Sequence, residues 1–230
     1  GKLRTFDVVI ANPPFSLKEW GHENWATDPH RRSEYGGVPP KNQGDYAWVQ
    51  HMLASASPNG GRVGVVMPHG VLFRSGAEAK IRQHLIESDL LEAVIGLPTN
   101  LFYGTSIPAC LLILRKTKNA ETAGKVRIID GSKRFVAGRA QNSLSDQDVA
   151  ALFEAYTDTD AEIENVKQAV VDVSEIEAND WDLNIGRYIE QDAAEIIDTA
   201  EALKALRQAE QNTAKAQTAM DERLKAAGYA

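Results

Sequence analysis

Short apolar runs alternate with longer stretches of helical period along the first part of this chain, and prolines end the first three runs. Phe6 to Ala11 places β-branched Val8, Val9 and Ile10 in succession, the pattern of a strand buried on both faces of a parallel sheet. Pro13-Pro14 stops it, because neither proline has an amide hydrogen to give a neighbouring strand. Asp45 to about Ser57 spaces Ala47, Val49, Met52, Leu53 and Ala56 as a helix face turned to a sheet, and Pro58-Asn59-Gly60-Gly61 ends it. Arg62 to Met67 is a second buried strand, closed by Pro68-His69-Gly70. Ser75 to Ser88 is a second helix with Ile81, Leu85 and Ile86 on its apolar side and Ser75 as its cap. Leu90 to Leu97 is a third strand ended by Pro98, Ala109 to Leu114 a fourth, and Val126 to Asp130 a short edge strand.

Helices between strands make right-handed crossovers, so the first three strands are predicted to be parallel neighbours in one sheet. The fourth lies close enough to the third to be its reversed hairpin partner, with Phe102 to Pro108 as the connection. The fold class is α/β. Beyond Leu144 the pattern changes: Asp146 is placed to cap a helix through Phe153 and Tyr156. Gln191 to Ala227, rich in Ala, Glu, Lys and Gln, is predicted to be one long helix. On it Ile196, Leu203 and Leu224 share one register, and Thr199, Leu206, Thr213 and Met220 another, while Glu210 and Gln217 break the seam. Packing within the chain and docking on another subunit both fit that pattern. The organisation expected is 1–140, an extension at 141–190, and the helix at 191–230.

Composition adds little to the class, since 43% hydrophobic and 25% charged residues are ordinary for a globular protein. No apolar run approaches the roughly 20 residues of a membrane helix, and no basic-then-apolar segment opens the chain. The expectation is a cytoplasmic protein without a membrane partner. Cys110 is the one cysteine, so an internal disulfide is excluded. Charge changes the picture more. The net charge of −7 hides an asymmetry: residues 1–140 hold 18 Lys and Arg against 12 Asp and Glu, and residues 141–230 hold 7 against 20. Only the first part has the sign to meet phosphates.

The candidate chemistry sits where the first strand stops. Asn12-Pro13-Pro14-Phe15 brings a carboxamide oxygen, a main-chain carbonyl and an aromatic ring to the carboxyl edge of the sheet, where open α/β sheets bind ligands. Two acceptors aimed at one point beside a flat ring suit a planar group bearing an NH2. An ordinary Pro-Pro turn fits the same four letters equally well. The polar segment from Ser16 to Gly44 carries Trp20, Trp25, Arg31, Arg32 and Tyr35, with Lys41 near its end. Aromatics interleaved with arginines suit base stacking and phosphate contact, and they suit equally a lid whose tryptophans pack down. The histidines share no helical spacing, and no metal site is assigned.

Asn12-Pro13-Pro14-Phe15 after an apolar strand resembles the catalytic motif of amino-methylating, S-adenosylmethionine-dependent DNA methyltransferases. The stretches 35–41, 44–53, 60–73 and 91–103, with Asn179-Asp180-Trp181-Asp182-Leu183-Asn184-Ile185-Gly186-Arg187-Tyr188-Ile189, are similar in order to the modification subunit of type I restriction-modification systems. The resemblance covers residues 4 to 190 and implies the carboxyl-terminal half of a Rossmann-like methyltransferase sheet, mostly parallel with a reversed strand, plus a helical extension. It implies adenine as target, with Asn12 and the Pro13 carbonyl accepting from its 6-amino group, Pro14 fixing the turn and Phe15 stacking. It implies S-adenosylmethionine as cofactor. It also implies DNA, a DNA-specificity subunit and a restriction subunit as partners, the terminal helix serving the specificity subunit. The glycine-rich cofactor loop has no counterpart here, because Gly60-Gly61 precedes a strand, and the resemblance places that loop upstream of Gly1. The chain alone is therefore expected to bind cofactor weakly and not to turn over. An amino-methyltransferase acting on cytosine or protein glutamine, and a non-catalytic assembly remnant, remain as alternatives.

Overall fold

A computed structural model describes residues 3–25, 27–189 and 199–229 of the chain. They divide into two compact units, Gly1–Glu190 and Gln191–Ala230.

The first unit is built on a single sheet of β1 (Val8–Ala11), β2 (Arg62–Pro68), β3 (Leu91–Gly96), β4 (Ala109–Arg115), β5 (Lys125–Asp130) and β6 (Lys167–Asp172), in the order β1-β2-β4-β3-β5-β6. β1 pairs parallel with β2 and β3 with β5, while β4 and β6 are reversed. The first three strands run one way, but the reversed β4 separates β3 from β2, which corrects the expectation of three direct neighbours. The helix between β2 and β3 reaches far enough to skip a strand position, and the short return from β3 lets β4 fill it. β6 has no counterpart in the sequence reading, because of its side chains only Val171 is buried. Its polar letters lack the apolar alternation that marks a strand.

One face of the sheet carries α1 (Asp45–Ala54) and α2 (Ala77–Glu87), whose Leu53 and Ile81 pack on Val63, Val65 and Leu114 in one fully buried cluster. The closing block joins this core through Leu183, Ile185 and Ile189. The Leu183 amide donates to the Leu72 carbonyl at 2.9 Å, and Arg82 Nε to the Trp181 carbonyl at 2.6 Å. The other face is covered at its β3–β5 end by α3 (Asp146–Thr157), with Leu152 against Ile95 and Ile129. Between residues 157 and 190 the chain adds β6 and the short α4 (Val173–Ala178) to the same unit.

Two helix starts differ from expectation. Ser145, not Asp146, caps α3, in a reciprocal capping box with Asp148. Ser75 caps nothing, because α2 starts after Gly76, whose positive φ of 73° makes the turn. The buried-strand reading of β1 is also corrected. It is an edge strand, Val9 alone packs on the core, and Ile10 is 79% exposed beside an open apolar trough that includes Leu111, Ile113 and Phe153. A run of β-branched residues signals a strand whether or not anything covers it.

In the second unit α5 (Thr199–Ala226) is a single helix of 28 residues, about 42 Å long. Leu203, Leu206, Met220 and Leu224 are exposed along it. The expected first part of that helix, residues 191–198 with Ile196, lies outside the described residues. No helix among the described residues is long and apolar enough to cross a membrane.

Candidate active site

β1 delivers Asn12 to the carboxyl edge of the sheet, level with the last residues of β2, since Ala11 pairs with Val65. Asn12 is exposed, Pro13 is buried, Pro14 is exposed and Phe15 is half-buried. The buried ring of Pro13 seats the turn, while the Asn12 carboxamide and the Pro13 carbonyl make no hydrogen bond to any described residue. Neither acceptor is engaged within the described residues. Phe15 lies against Phe102 from the β3–β4 loop, ring centroids 5.6 Å apart. Phe102 is a site neighbour that the sequence reading assigned only to a connection. Its signal, an aromatic just beyond a strand end on the same sheet edge, emerges only once β3 is known to end there.

The turn continues into Ser16, whose amide donates to Asp45 Oδ1 at 2.7 Å. Asp45 is buried in the first turn of α1, where the helix amides favour a carboxylate, and its other oxygen accepts from Arg74 at 2.9 Å. His69 closes β2 on the same edge, and its Nε2 is buried without a partner among the described residues. Burial pushes the His69 pKa down, so the ring is neutral.

The described residues of the segment after the turn pack on α1. Trp25 is buried and gives its indole N–H to Gln50 Oε1 at 3.0 Å, while Gln50 Nε2 donates to the carbonyls of Tyr35 and Gly37 at 3.0 and 2.7 Å. The Arg32 guanidinium stacks over the Trp25 ring at 4.0 Å and grips Asp28 through Nε and Nη2 at 2.7 and 2.9 Å. That grip, with the Arg32 and His30 amides, holds the Asp28 carboxyl well below the usual carboxylate range. Trp25 and Arg32 therefore hold the loop together through contacts within the chain, Trp25 buried and Arg32 partly exposed. Tyr35 is half-buried with Lys116 Nζ over its ring and on its hydroxyl. Trp20 is half-buried, donating to the Pro40 carbonyl and packing edge-on against Trp25. Arg31, paired with Glu34, and Lys41 are exposed. Gln50 was missed because a helix-period reading scores it as a polar interruption.

The N-6 DNA methylase family profile matches residues 1–196. The chain belongs to this family. Within it the chain is 38% identical over 191 residues to the MjaVII type I restriction enzyme methylase subunit of Methanocaldococcus jannaschii, a match over 80% of this chain and 32% of that protein. The HindI methylase subunit of Haemophilus influenzae is 34% identical over 194 residues, covering 81% of this chain and 42% of its own length. Among solved structures, the type I restriction-modification methyltransferase subunit from Streptococcus thermophilus superposes with a TM-score of 0.73 at 36% identity, over 82% of this chain and 39% of that one. This N-6 DNA methylase chain thus spans roughly a third to two fifths of the length of these relatives.

Among the described residues, no turn after a parallel strand of the first unit carries the glycine-rich sequence that cradles such a cofactor as S-adenosylmethionine. β1, β2 and β3 run into Asn12-Pro13, His69-Gly70 and Leu97-Pro98, and none of these turns is a glycine-rich loop opening a helix.

Proposed function

We propose that this chain carries the base-facing part of an adenine-specific DNA methyltransferase, the modification subunit of a type I restriction-modification system. The methyl donor of that reaction is S-adenosylmethionine, whose sulfonium supplies the electrophilic methyl group. The observation that carries the proposal is the pair of unengaged acceptors, the Asn12 carboxamide and the Pro13 carbonyl, beside the Phe15 ring at the carboxyl edge of β1. An adenine turned out of the duplex would place its 6-amino group on these acceptors and its ring along Phe15. Accepting both amine hydrogens leaves the nitrogen lone pair directed away from the ring plane. The contribution of these residues is orientation and charge stabilisation, with no strong base required.

DNA, a specificity subunit and a restriction subunit are the proposed partners, and a cytoplasmic setting follows from DNA as substrate. Arg31 and Lys41, exposed on the loop beyond the turn, are the proposed phosphate contacts, and the half-buried Trp20 is a proposed base contact. The exposed leucines of α5 fit a helical seam on the specificity subunit. The extension at 141–190 is proposed to brace the catalytic part. The test is nucleoside mass analysis of DNA from cells carrying the whole gene with its partner subunits. N6-methyladenine should appear with the wild type and vanish with Asn12→Ala. Methylated cytosine, or no modified base, would overturn the assignment.

A further inference from the structure

The structure assigns Asp45 as a positioning residue for the Asn12–Phe15 turn, acting through a left-handed Ser16. This deepens the reading of that turn as an amine-binding site and rests on it. Ser16 has φ +52°, a conformation that crowds the Cβ of any residue other than glycine and that persists only where neighbours enforce it. The enforcing neighbour is Asp45, 1% exposed, which takes the Ser16 amide at 2.7 Å and its hydroxyl at 3.4 Å.

Asp45 is itself held from two sides. It stands in the first turn of α1, and Arg74 Nη1 reaches its second oxygen at 2.9 Å while bonding both oxygens of Glu78 at 3.1 and 3.2 Å. Gly70 makes room for that guanidinium, since a Cβ there would lie 2.4 Å from Arg74. One residue earlier, the Gly44 amide donates to the Leu17 carbonyl at 3.0 Å, and a Cβ on Gly44 would sit 2.8 Å from the Trp20 ring. The chain leaving Phe15 is therefore clamped to the start of α1 at Asp45 and Gly44. Arg74 extends the clamp to the segment following β2.

The Ser16 backbone fixes the peptide plane after Phe15, and with it where the ring stands relative to the Asn12 carboxamide. Without the Asp45 carboxylate, Ser16 has nothing to hold it at positive φ and relaxes, carrying Phe15 with it. Asp45 touches no substrate in this account. Its effect on the reaction is geometric, on the orientation of the two acceptors and the ring.

The test uses the full-length subunit with its partners, unmodified chromosomal DNA and labelled S-adenosylmethionine. Asp45→Ala should lower kcat about 100-fold and leave KM for the cofactor within about threefold, the pattern of misplaced reacting groups. Adding Ser16→Gly to Asp45→Ala should recover about 5- to 30-fold, because glycine holds positive φ without the Cβ penalty. A carboxylate that merely filled the Arg74 network would gain nothing from that glycine. Should Asp45→Ala fail to fold, the same recovery is read in Asp45→Asn, which offers one accepting oxygen where the carboxylate met the Ser16 amide, the Ser16 hydroxyl and Arg74. Hydrogen exchange at the Ser16 amide gives a readout independent of activity: protected in the wild type, fast in Asp45→Ala. Wild-type protein that leaves DNA unmethylated sinks the proposed function, while the exchange result still decides the clamp. Active wild type with Asp45→Ala at near-normal kcat, an unprotected Ser16 amide, or no recovery by Ser16→Gly overturns the positioning role.

Discussion

Phe102 meets Phe15 at 71° between ring planes, with centroids 5.6 Å apart. The two rings come from opposite sides of the inserted reversed strand: Phe15 follows β1, and Phe102 lies in the loop that leads from β3 into β4. An edge-to-face pair of this kind contributes about 0.5–1.5 kcal/mol beyond the area it buries. Its larger effect is to restrict where the Phe15 ring can lie, which matters if a base is to stack there.

Removing each ring should separate contact from support. Phe15→Ala is expected to lower methyl transfer about 100-fold or more, and Phe102→Ala about tenfold, since the second loses only the restraint on the first. Phe15→Tyr keeps a flat face and should retain most activity. Initial rates of label transfer to DNA check all three, and an ordering with Phe102→Ala worse than Phe15→Ala would reverse the assigned roles.

Gln50 is fully buried and serves three groups of the 16–44 loop: the Trp25 indole and the carbonyls of Tyr35 and Gly37. Gln50→Leu preserves bulk but leaves these groups unpartnered, each at about 1–3 kcal/mol if it stays dry. Because the loop can open to water, the net loss expected is about 2–4 kcal/mol. The loop should also become the first site of protease nicking. Denaturant midpoints and limited proteolysis measure both effects, and loss of stability without new cleavage between 16 and 44 would place the damage elsewhere.

How much of this was legible beforehand depends on which interactions are local. The strand and helix periods, the proline stops and Asn12-Pro13-Pro14-Phe15 are written in neighbouring letters, so β1 to β5 and the two sheet-packed helices were found with their ends within a few residues. The position of β4 between β2 and β3 was not legible, because it depends on how far a crossover reaches. β6 was not legible either, because an edge strand needs only backbone pairing and asks little of its side chains. Around the site, Asn12 and Phe15 were visible as letters, whereas Phe102 and Asp45 reach the turn only through the fold. The internal contacts of Trp25 and Arg32 were not legible for a related reason. An arginine beside aromatics has the same letters whether it awaits a phosphate or already holds Asp28.

Arg82 is 3% exposed and donates to three carbonyls: Val71 at 3.1 Å, Arg74 at 3.0 Å and Trp181 at 2.6 Å. One guanidinium thereby ties α2, the turn after β2 and the closing block. Arg82→Met keeps much of the packing but strands the Arg74 and Trp181 carbonyls, while Val71 keeps the Tyr46 hydroxyl at 2.8 Å, and should destabilise the unit by about 3 kcal/mol. Arg82→Lys should recover only part, since an ammonium lacks the planar fork that reaches three separate carbonyls. Thermal or urea unfolding measures the two variants, and equal stability of Arg82→Lys and wild type would show that charge alone suffices.

Acid should loosen the 16–44 loop in two separable stages. His51 accepts from Arg32 Nη1 at 3.2 Å through Nδ1, and burial first, then the Arg32 charge, lowers its pKa in the folded chain. The unfolded chain therefore takes up this proton first, and stability falls as pH drops below about 6.5, the ordinary histidine value. Asp28 follows at lower pH. Its folded pKa is depressed chiefly by the Arg32 side-chain hydrogen bond, so its contribution is complete above about 4 and is lost as pH falls from there toward the depressed value. His51→Gln should shrink the upper stage to the part that His69, also lowered by burial, contributes, and leave the lower one, while Asp28→Asn should flatten the lower one at the cost of stability near neutral pH. Urea midpoints measured from pH 8 to pH 3 resolve the stages. A midpoint that rose on acidification between about pH 6.5 and 5 in the wild type, and no longer rose in His51→Gln, would contradict the sign assigned to His51.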